Sequence, residues 1–330
     1  MTAPPPFHRI RVADVITETP DAHSLVLAVP PALAAAFAYR PGQYLTVRVP
    51  DDGGPVARCY SLSSSPHTGE QPKITIKRVR DGQASNWICD HVRPGSTLDL
   101  APPAGTFTPG SLDDDLLLLA GGSGITPVMA IIKSVLAGGT GRLALVYANR
   151  DADSVIFRAE LAALAGDRLE VVHWLDSERG APTAAALAGA VQAYGNREAF
   201  VCGPEPFVVV AQQALQKAGV PAERVRVERF ELEAVAGDGP DATAEVTLDG
   251  QTHLLPWPAG KRLLDVIVAA GLNPPFSCRQ GQCGACALRL LDGEVELVNN
   301  EVLEEEDFAD GYILACQALP RSEHVSVTYY

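Results

Sequence analysis

Four cysteines near the C-terminal end, Cys278, Cys283, Cys286 and Cys316, are spaced C-x4-C-x2-C with a distant fourth thiol. This is the plant-type spacing for a 2Fe-2S cluster. Such a centre needs four thiolates, and it needs small residues between the first three so that the backbone can wrap the irons and offer N–H groups to sulfur. Ser277, Gly281, Gly284 and Ala285 meet that need. Zinc also takes four thiolates, but its structural sites usually pair two short clips, and the isolated Cys316 supplies no second one. The seven histidines show no paired spacing and read as ordinary surface or core residues. A Rieske-type cluster, which requires two histidines beside the cysteines, is not what this chain offers.

Three further motifs have the residue types to hold a nucleotide. Gly121-Gly122-Ser123-Gly124-Ile125-Thr126-Pro127 joins an expected strand to an expected helix, where a phosphate can meet exposed N–H groups and the helix dipole. It is not a full G-x-G-x-x-G, and a tight turn of any α/β domain is the plain alternative. Cys202-Gly203-Pro204-Glu205-Pro206-Phe207 repeats the strand-loop-helix setting, although Cys202 could be simple packing. Arg58-Cys59-Tyr60-Ser61 ends a strand, and an exposed strand end explains it equally well on its own. Its neighbours are a basic strand at 74–78 and then Gly82-Gln83-Ala84-Ser85-Asn86, a glycine turn with polar side chains suited to a pyrophosphate.

Apolar runs at 10–15, 24–29, 44–49, 56–62, 73–79 and 97–100, separated by turn clusters such as 51–55, predict an antiparallel sandwich or barrel with little helix. Strand signals at 116–120, 142–147, 169–174, 198–201 and 225–227 alternate with potentially helical stretches, including 128–136. That alternation predicts a doubly wound parallel sheet. After a small-residue linker, segments 245–248 and 251–255 flank Asp249-Gly250, a hairpin signal, and a helix is expected at 263–270. The expected division is residues 1–112, 113–232, a linker at 233–241, and 242–330.

A chain of 330 residues suits two or three such domains. The net charge of −14 disfavours a nucleic-acid partner, and residues 241–330 alone carry 14 acids against 5 bases. The acidic runs 113–115 and 304–307 read as solvated surface, or in the second case as a docking patch for a basic partner. The longest aliphatic run, 116–119, is far too short to span a bilayer, and no export signal opens the chain, so no membrane association and a cytoplasmic address are expected.

With Arg58, Tyr60 and Ser61 beside the 82–86 turn, the chain resembles the ferredoxin-NADP reductase superfamily. The resemblance implies that Arg58 contacts FAD phosphate, Tyr60 packs on the isoalloxazine and Ser61 bonds near flavin N5, with Lys77, Gly82, Ala84 and Ser85 as further contacts. It also implies that Gly122, Thr126, Cys202, Gly203 and Pro204 embrace the nicotinamide, that Ser61, Thr126 and Cys202 serve catalysis, and that Phe230 covers the flavin until nicotinamide displaces it. A plain core role for Phe230 is equally open. The domain order is similar to that of single-chain oxygenase reductases that end in a β-grasp 2Fe-2S ferredoxin domain.

Within that group, the stretches ARCYSLSSSP (57–66), ASNWIC (84–89), YANRDADSVIF (147–157) and DGYILACQ (310–317) are most similar to reductase components of 3-ketosteroid 9α-hydroxylase. The implied function is an NADH-dependent oxidoreductase that passes electrons through FAD and the cluster to a Rieske terminal oxygenase in steroid breakdown. The reductase of phenylacetyl-CoA epoxidase, serving a di-iron oxygenase, has a similar plan. An iron-sulfur redox sensor is the rival from outside the enzymes. Asn149-Arg150-Asp151-Ala152-Asp153, one arginine beside two aspartates, leans to NADH over NADPH.

Overall fold

The computed structural model describes residues 7–50, 56–80, 82–230, 239–276, 279, 281 and 283–329. The turn cluster 51–55, most of the expected linker, Ser277 and Cys278 lie outside them. The chain forms two compact units, Phe7–Glu231 and Leu232–Tyr330.

The first unit opens with strands β1 (His8–Thr19), β2 (Ala22–Ala28), β3 (Tyr44–Val49), β4 (Val56–Ser61), β5 (Lys73–Lys77) and β6 (Thr97–Leu100). They form one antiparallel sheet in the order β4-β3-β6-β1-β2-β5. A bridge between Leu62 and Ile74 brings the two outer strands together, so the sheet closes as a barrel and its edges are satisfied. Ile10, Val12, Leu25, Leu27, Leu45 and Val47 point inward and make its core. Helix α1 (Gln83–His91) is a difference from expectation, because it starts where the sequence suggests only a turn. Ala84, Ser85, Ile88 and Cys89 bury one face at helical spacing, and their short or polar side chains hide that period.

The same unit continues with β7 (Leu116–Gly121), α2 (Ile125–Gly138), β8 (Leu143–Asn149), α3 (Arg158–Leu164), β9 (Leu169–Leu175), α4 (Asp176–Arg179), α5 (Ala184–Val191), β10 (Glu198–Cys202), α6 (Glu205–Lys217) and β11 (Val225–Glu228). The five strands are all parallel, in the order β11-β10-β7-β8-β9. One apolar cluster packs α2 against the sheet and another packs α5 and α6. Both faces are covered, which is why β7 can be an unbroken, wholly buried leucine run. The strand order reverses between β7 and β10, and in such sheets ligands bind at that reversal.

The second unit contains β12 (Ala242–Leu248), β13 (Gln251–Trp257), α7 (Leu263–Ala269), β14 (Ala287–Asp292), β15 (Val295–Leu297), α8 (Glu305–Ala309), β16 (Tyr312–Leu314), β17 (Ala318–Pro320) and β18 (His324–Thr328). A mixed sheet, β13-β12-β18-β14-β16, has β12 and β18 running parallel, and α7 buries Leu263, Leu264 and Ile267 against it. This is the β-grasp arrangement. The β12–β13 hairpin turns on Asp249 and Gly250, both left-handed, as the Asp-Gly pair foretells. Among the described residues no helix is long and apolar enough to cross a membrane.

Candidate functional site

Strands β7 and β10 lie side by side in register, Ala120 opposite Cys202, so the loops leaving them meet. They meet so closely that a Cβ on Gly124 would stand 2.1 Å from the Cys202 carbonyl oxygen, and only glycine fits there. The first loop is braced from within. The Tyr147 hydroxyl donates to the Gly122 carbonyl at 3.0 Å, and the Thr126 hydroxyl donates to the Ser123 carbonyl at 3.0 Å.

Facing these loops is the open end of the barrel, and between them lies a cavity of about 410 Å³. Arg58, Tyr60, Ser61 and Lys77 line its barrel side, together with Gly82, Ala84 and Ser85 at the start of α1. Thr126, Gly203, Pro204 and Phe230 line the other side. Gly82 caps the nine-residue helix α1 with no side chain of its own, so its N-terminus opens on the cavity without a capping side chain from the N-cap. Burial pushes the Tyr60 phenol far above its ordinary pKa despite the nearby Arg58, and it stays neutral. An aromatic face, two cations and a helix N-terminus in one concave site fit a flat ring carrying a pyrophosphate.

Beneath the cavity is a residue that sequence reasoning missed. Glu228, only 3% exposed, ends β11 beside Cys202. Its carboxylate accepts a bond from the Ser61 hydroxyl at 3.4 Å and lies 4.0 Å from the Cys202 sulfur. Burial, reinforced by this carboxylate, pushes the Cys202 thiol well up, so Cys202 is a neutral donor rather than a thiolate. The only signal in the chain is an acid closing an apolar strand.

Gly122 lines a second, adjoining cavity of about 400 Å³ at the ends of β8 and β9, and Lys77 borders both. Arg150 and Asp176 also face it. Asp151 does not take part, since its carboxylate is bound to the Ser154 N–H and hydroxyl at 2.9 and 2.7 Å. Asp176, at the end of β9, has a buried Oδ1 without a hydrogen-bond partner in the protein.

In the second unit, Cys286 and Cys316 are each 2% exposed, and Cys283 is half-buried. A hydrogen bond between the Cys286 and Cys316 thiols, together with burial, raises the Cys286 thiol well above its usual pKa. Two thiols confined face to face in an apolar core are donors that a metal would deprotonate and join. Gln317, 1% exposed, uses its amide protons on the Arg279 carbonyl at 2.7 Å and the Cys316 sulfur at 3.4 Å. It thereby ties the first cysteine loop to Cys316. Gly281 in that loop is left-handed, with φ +79°, and lies 2.7 Å from the Asn299 carbonyl when given a Cβ. Cys278 is outside the described residues, and among those described no three His, Cys, Asp or Glu side chains converge as a metal site.

The two acidic runs lie on the surface, with 113–115 and 304–306 exposed, and several of their carboxylates bond locally. Asp113 accepts bonds from Thr140, and Asp115 accepts one from the Arg142 N–H. Glu304 and Asp307 form a capping box at the start of α8.

Comparison with known proteins agrees with this layout. Residues 9–108 match the oxidoreductase FAD-binding domain family, 118–213 the oxidoreductase NAD-binding domain family, and 246–321 the 2Fe-2S iron-sulfur cluster binding domain family. The ferredoxin reductase component of 3-ketosteroid-9-alpha-monooxygenase from Rhodococcus rhodochrous is 50% identical, covering 97% of this chain and 96% of that protein. A component of 1,2-phenylacetyl-CoA epoxidase from Escherichia coli is 33% identical over 98% of each. Among solved structures, phthalate dioxygenase reductase shares the fold with a TM-score of 0.63 over 98% of both chains, at 22% identity.

Proposed function

This chain belongs to the family of 3-ketosteroid-9-alpha-monooxygenase ferredoxin reductase components, and from that premise we propose that it delivers electrons from NADH to a Rieske-type oxygenase acting on a 3-ketosteroid in the cytoplasm. The observation that carries this reading is the cavity in which the barrel motif and both glycine loops converge. Bound FAD supplies acceptance of a hydride, two electrons at once, and the 2Fe-2S cluster supplies their onward passage one at a time.

The chain's own residues bind and orient. Arg58, Lys77 and the α1 start at Gly82, Ala84 and Ser85 hold the flavin phosphates, while Tyr60 stacks on the ring. Ser61, fixed by Glu228, presents its hydroxyl to the ring edge. Thr126, Gly203 and Pro204 align the nicotinamide, with Gly122 close to the dinucleotide phosphates. Phe230 covers the ring face until the nicotinamide arrives and so keeps water away. Cys202 contributes as a neutral thiol that packs under the nicotinamide. The unpaired Asp176 oxygen suits a ribose hydroxyl and repels a 2′-phosphate, which favours NADH. Cys278, Cys283, Cys286 and Cys316 hold the cluster. We divide the chain at 1–112, 113–232, a 233–241 linker and 242–330.

Two measurements test the reading. Anaerobic mixing with NADH should bleach the flavin, and no bleaching would favour the redox sensor. Reconstitution with terminal oxygenases should give more product per NADH with a steroid substrate than with phenylacetyl-CoA, and the reverse order would overturn the assignment.

A further inference from the structure

The flavin-side and nicotinamide-side walls of the cavity stand on different sheets, so their spacing depends on what joins the two halves of the first unit. Part of the join is apolar: Ala22 and Phe107 from the barrel half enter the core beside α2, and Phe107 meets Phe200 edge-on at 5.1 Å. Apolar burial is non-directional. It holds the halves together without fixing their register.

Beside it lies a chain of alternating charges in which both lysines are buried and both glutamates half-buried. Lys133 sits about two turns along α2 from Thr126 and is 8% exposed. Its ammonium lies 2.5 and 2.6 Å from the two oxygens of Glu70, in the segment that follows Tyr60 and Ser61, and 2.8 Å from Glu160 on α3. Glu70 is itself pinned by the Ser65 N–H and the Thr68 hydroxyl, both at 2.9 Å. Glu160 returns across the junction to Lys73 of β5 at 3.7 Å, and that ammonium lies over the Phe157 ring at 5.3 Å. The Ser65 and Ser134 hydroxyls meet at 2.8 Å. Burial works against both charges, yet their mutual bonds outweigh it, holding Glu70 below and Lys133 above their ordinary pKa values. Burying such a network costs about as much desolvation as its attraction returns, so a well-packed apolar pair would hold the halves equally well. What apolar contact cannot supply is a fixed direction, and short charge-assisted bonds can.

We propose that Lys133 is a positioning residue for hydride transfer, its bonds to Glu70 and Glu160 fixing the nicotinamide wall at its working distance from the flavin wall. This rests on the NADH-to-flavin reading above. The test uses the holoprotein, following flavin bleaching by NADH in anaerobic stopped flow, with 4-deuterated NADH and the charge-transfer absorbance of the complex as further readouts. Lys133→Met should slow the limiting rate by about tenfold, since small displacements at a reacting pair are costly. NADH affinity should stay within about twofold, because positioning acts on the rate rather than on binding. The charge-transfer band should weaken, FAD content should hold with the variant folded at the assay temperature, and Lys133→Arg should recover most of the rate. Glu70→Gln, which keeps the shape and the contacts to Ser65 and Thr68, gives a second reading if Lys133→Met does not fold. Wild-type rates and an unchanged band in these variants would overturn the proposal, as would a rate loss explained by FAD loss or by unfolding at the assay temperature. A wild-type flavin that NADH does not bleach would instead defeat the functional reading on which it stands.

Discussion

The nucleotide cavity and the thiol site are built on opposite plans. Around the cavity, Tyr147 to Gly122, Thr126 to Ser123, Ser61 to Glu228 and Lys133 to Glu70 are protein-to-protein bonds, complete before any ligand is considered. In the β-grasp unit, the Cys286 and Cys316 thiols are bonded to each other, and Gln317 joins the Arg279 carbonyl to the Cys316 sulfur. Metal binding there must expel thiol protons and add bonds that the protein alone does not make. The first site is a preformed mould, whereas the second is finished by what it holds.

The sharpest way to break this contrast is Cys316→Ser. It should abolish the cluster and electron delivery to a one-electron protein acceptor, while leaving NADH oxidation by ferricyanide at the wild-type rate. Iron and sulfide analysis with both assays decides, and surviving delivery would place the cluster off the path. Next in size is Gly124→Ala, because the new methyl meets a backbone carbonyl that cannot rotate away. A loss of about 2 kcal/mol or more is expected, read by denaturation of the holoprotein together with slower flavin bleaching. An unaffected protein would show that the two loops are not the rigid mould described.

A smaller change is expected in the adjoining cavity. Asp176→Asn removes one negative charge from its wall, and if the ribose binds there the NADPH-to-NADH ratio of kcat/KM should rise by about tenfold, or ~1.4 kcal/mol. An unchanged ratio would move cofactor selection elsewhere.

The smallest effect lies in acid. Glu70 titrates below the usual carboxylate value because Lys133, Ser65 and Thr68 outweigh burial, so the folded protein binds fewer protons there than the unfolded chain. Its contribution is therefore full above about pH 4.3 and fades as pH falls through the lowered folded value. Denaturation between about pH 3 and 5 should show a shallower acid loss in Glu70→Gln. An identical slope would mean that the pair does not stabilise the folded state.

Much of the scaffold is legible in the chain. Strands β3 and β6 begin and end where the apolar runs do, the Asp249-Gly250 turn carries its own conformation, and the leucine run of β7 declares a strand covered on both faces. The two glycine loops are legible for the same reason, since a strand-to-helix turn imposes its requirement on adjacent residues. Helix α1 is the local exception, its buried face carried by one isoleucine together with alanine, serine and cysteine, too weak a period for a hydropathy reading.

What tertiary structure alone decided is which distant residues share a space. Glu228 comes from the last strand of the parallel sheet to meet Ser61 of the barrel, Asp176 brings a carboxylate to the wall of the cavity at the ends of β8 and β9, and Glu70 reaches Lys133 across 63 positions of chain. Sequence by itself determined the motifs, their strand-loop-helix settings and the four-thiol spacing, because each depends on neighbours or on a fixed periodicity. It could not determine these pairings, because a single charged residue in a strand or helix has no local period. Its partner is set only when separate sheets close on one another and leave a buried charge that must be matched.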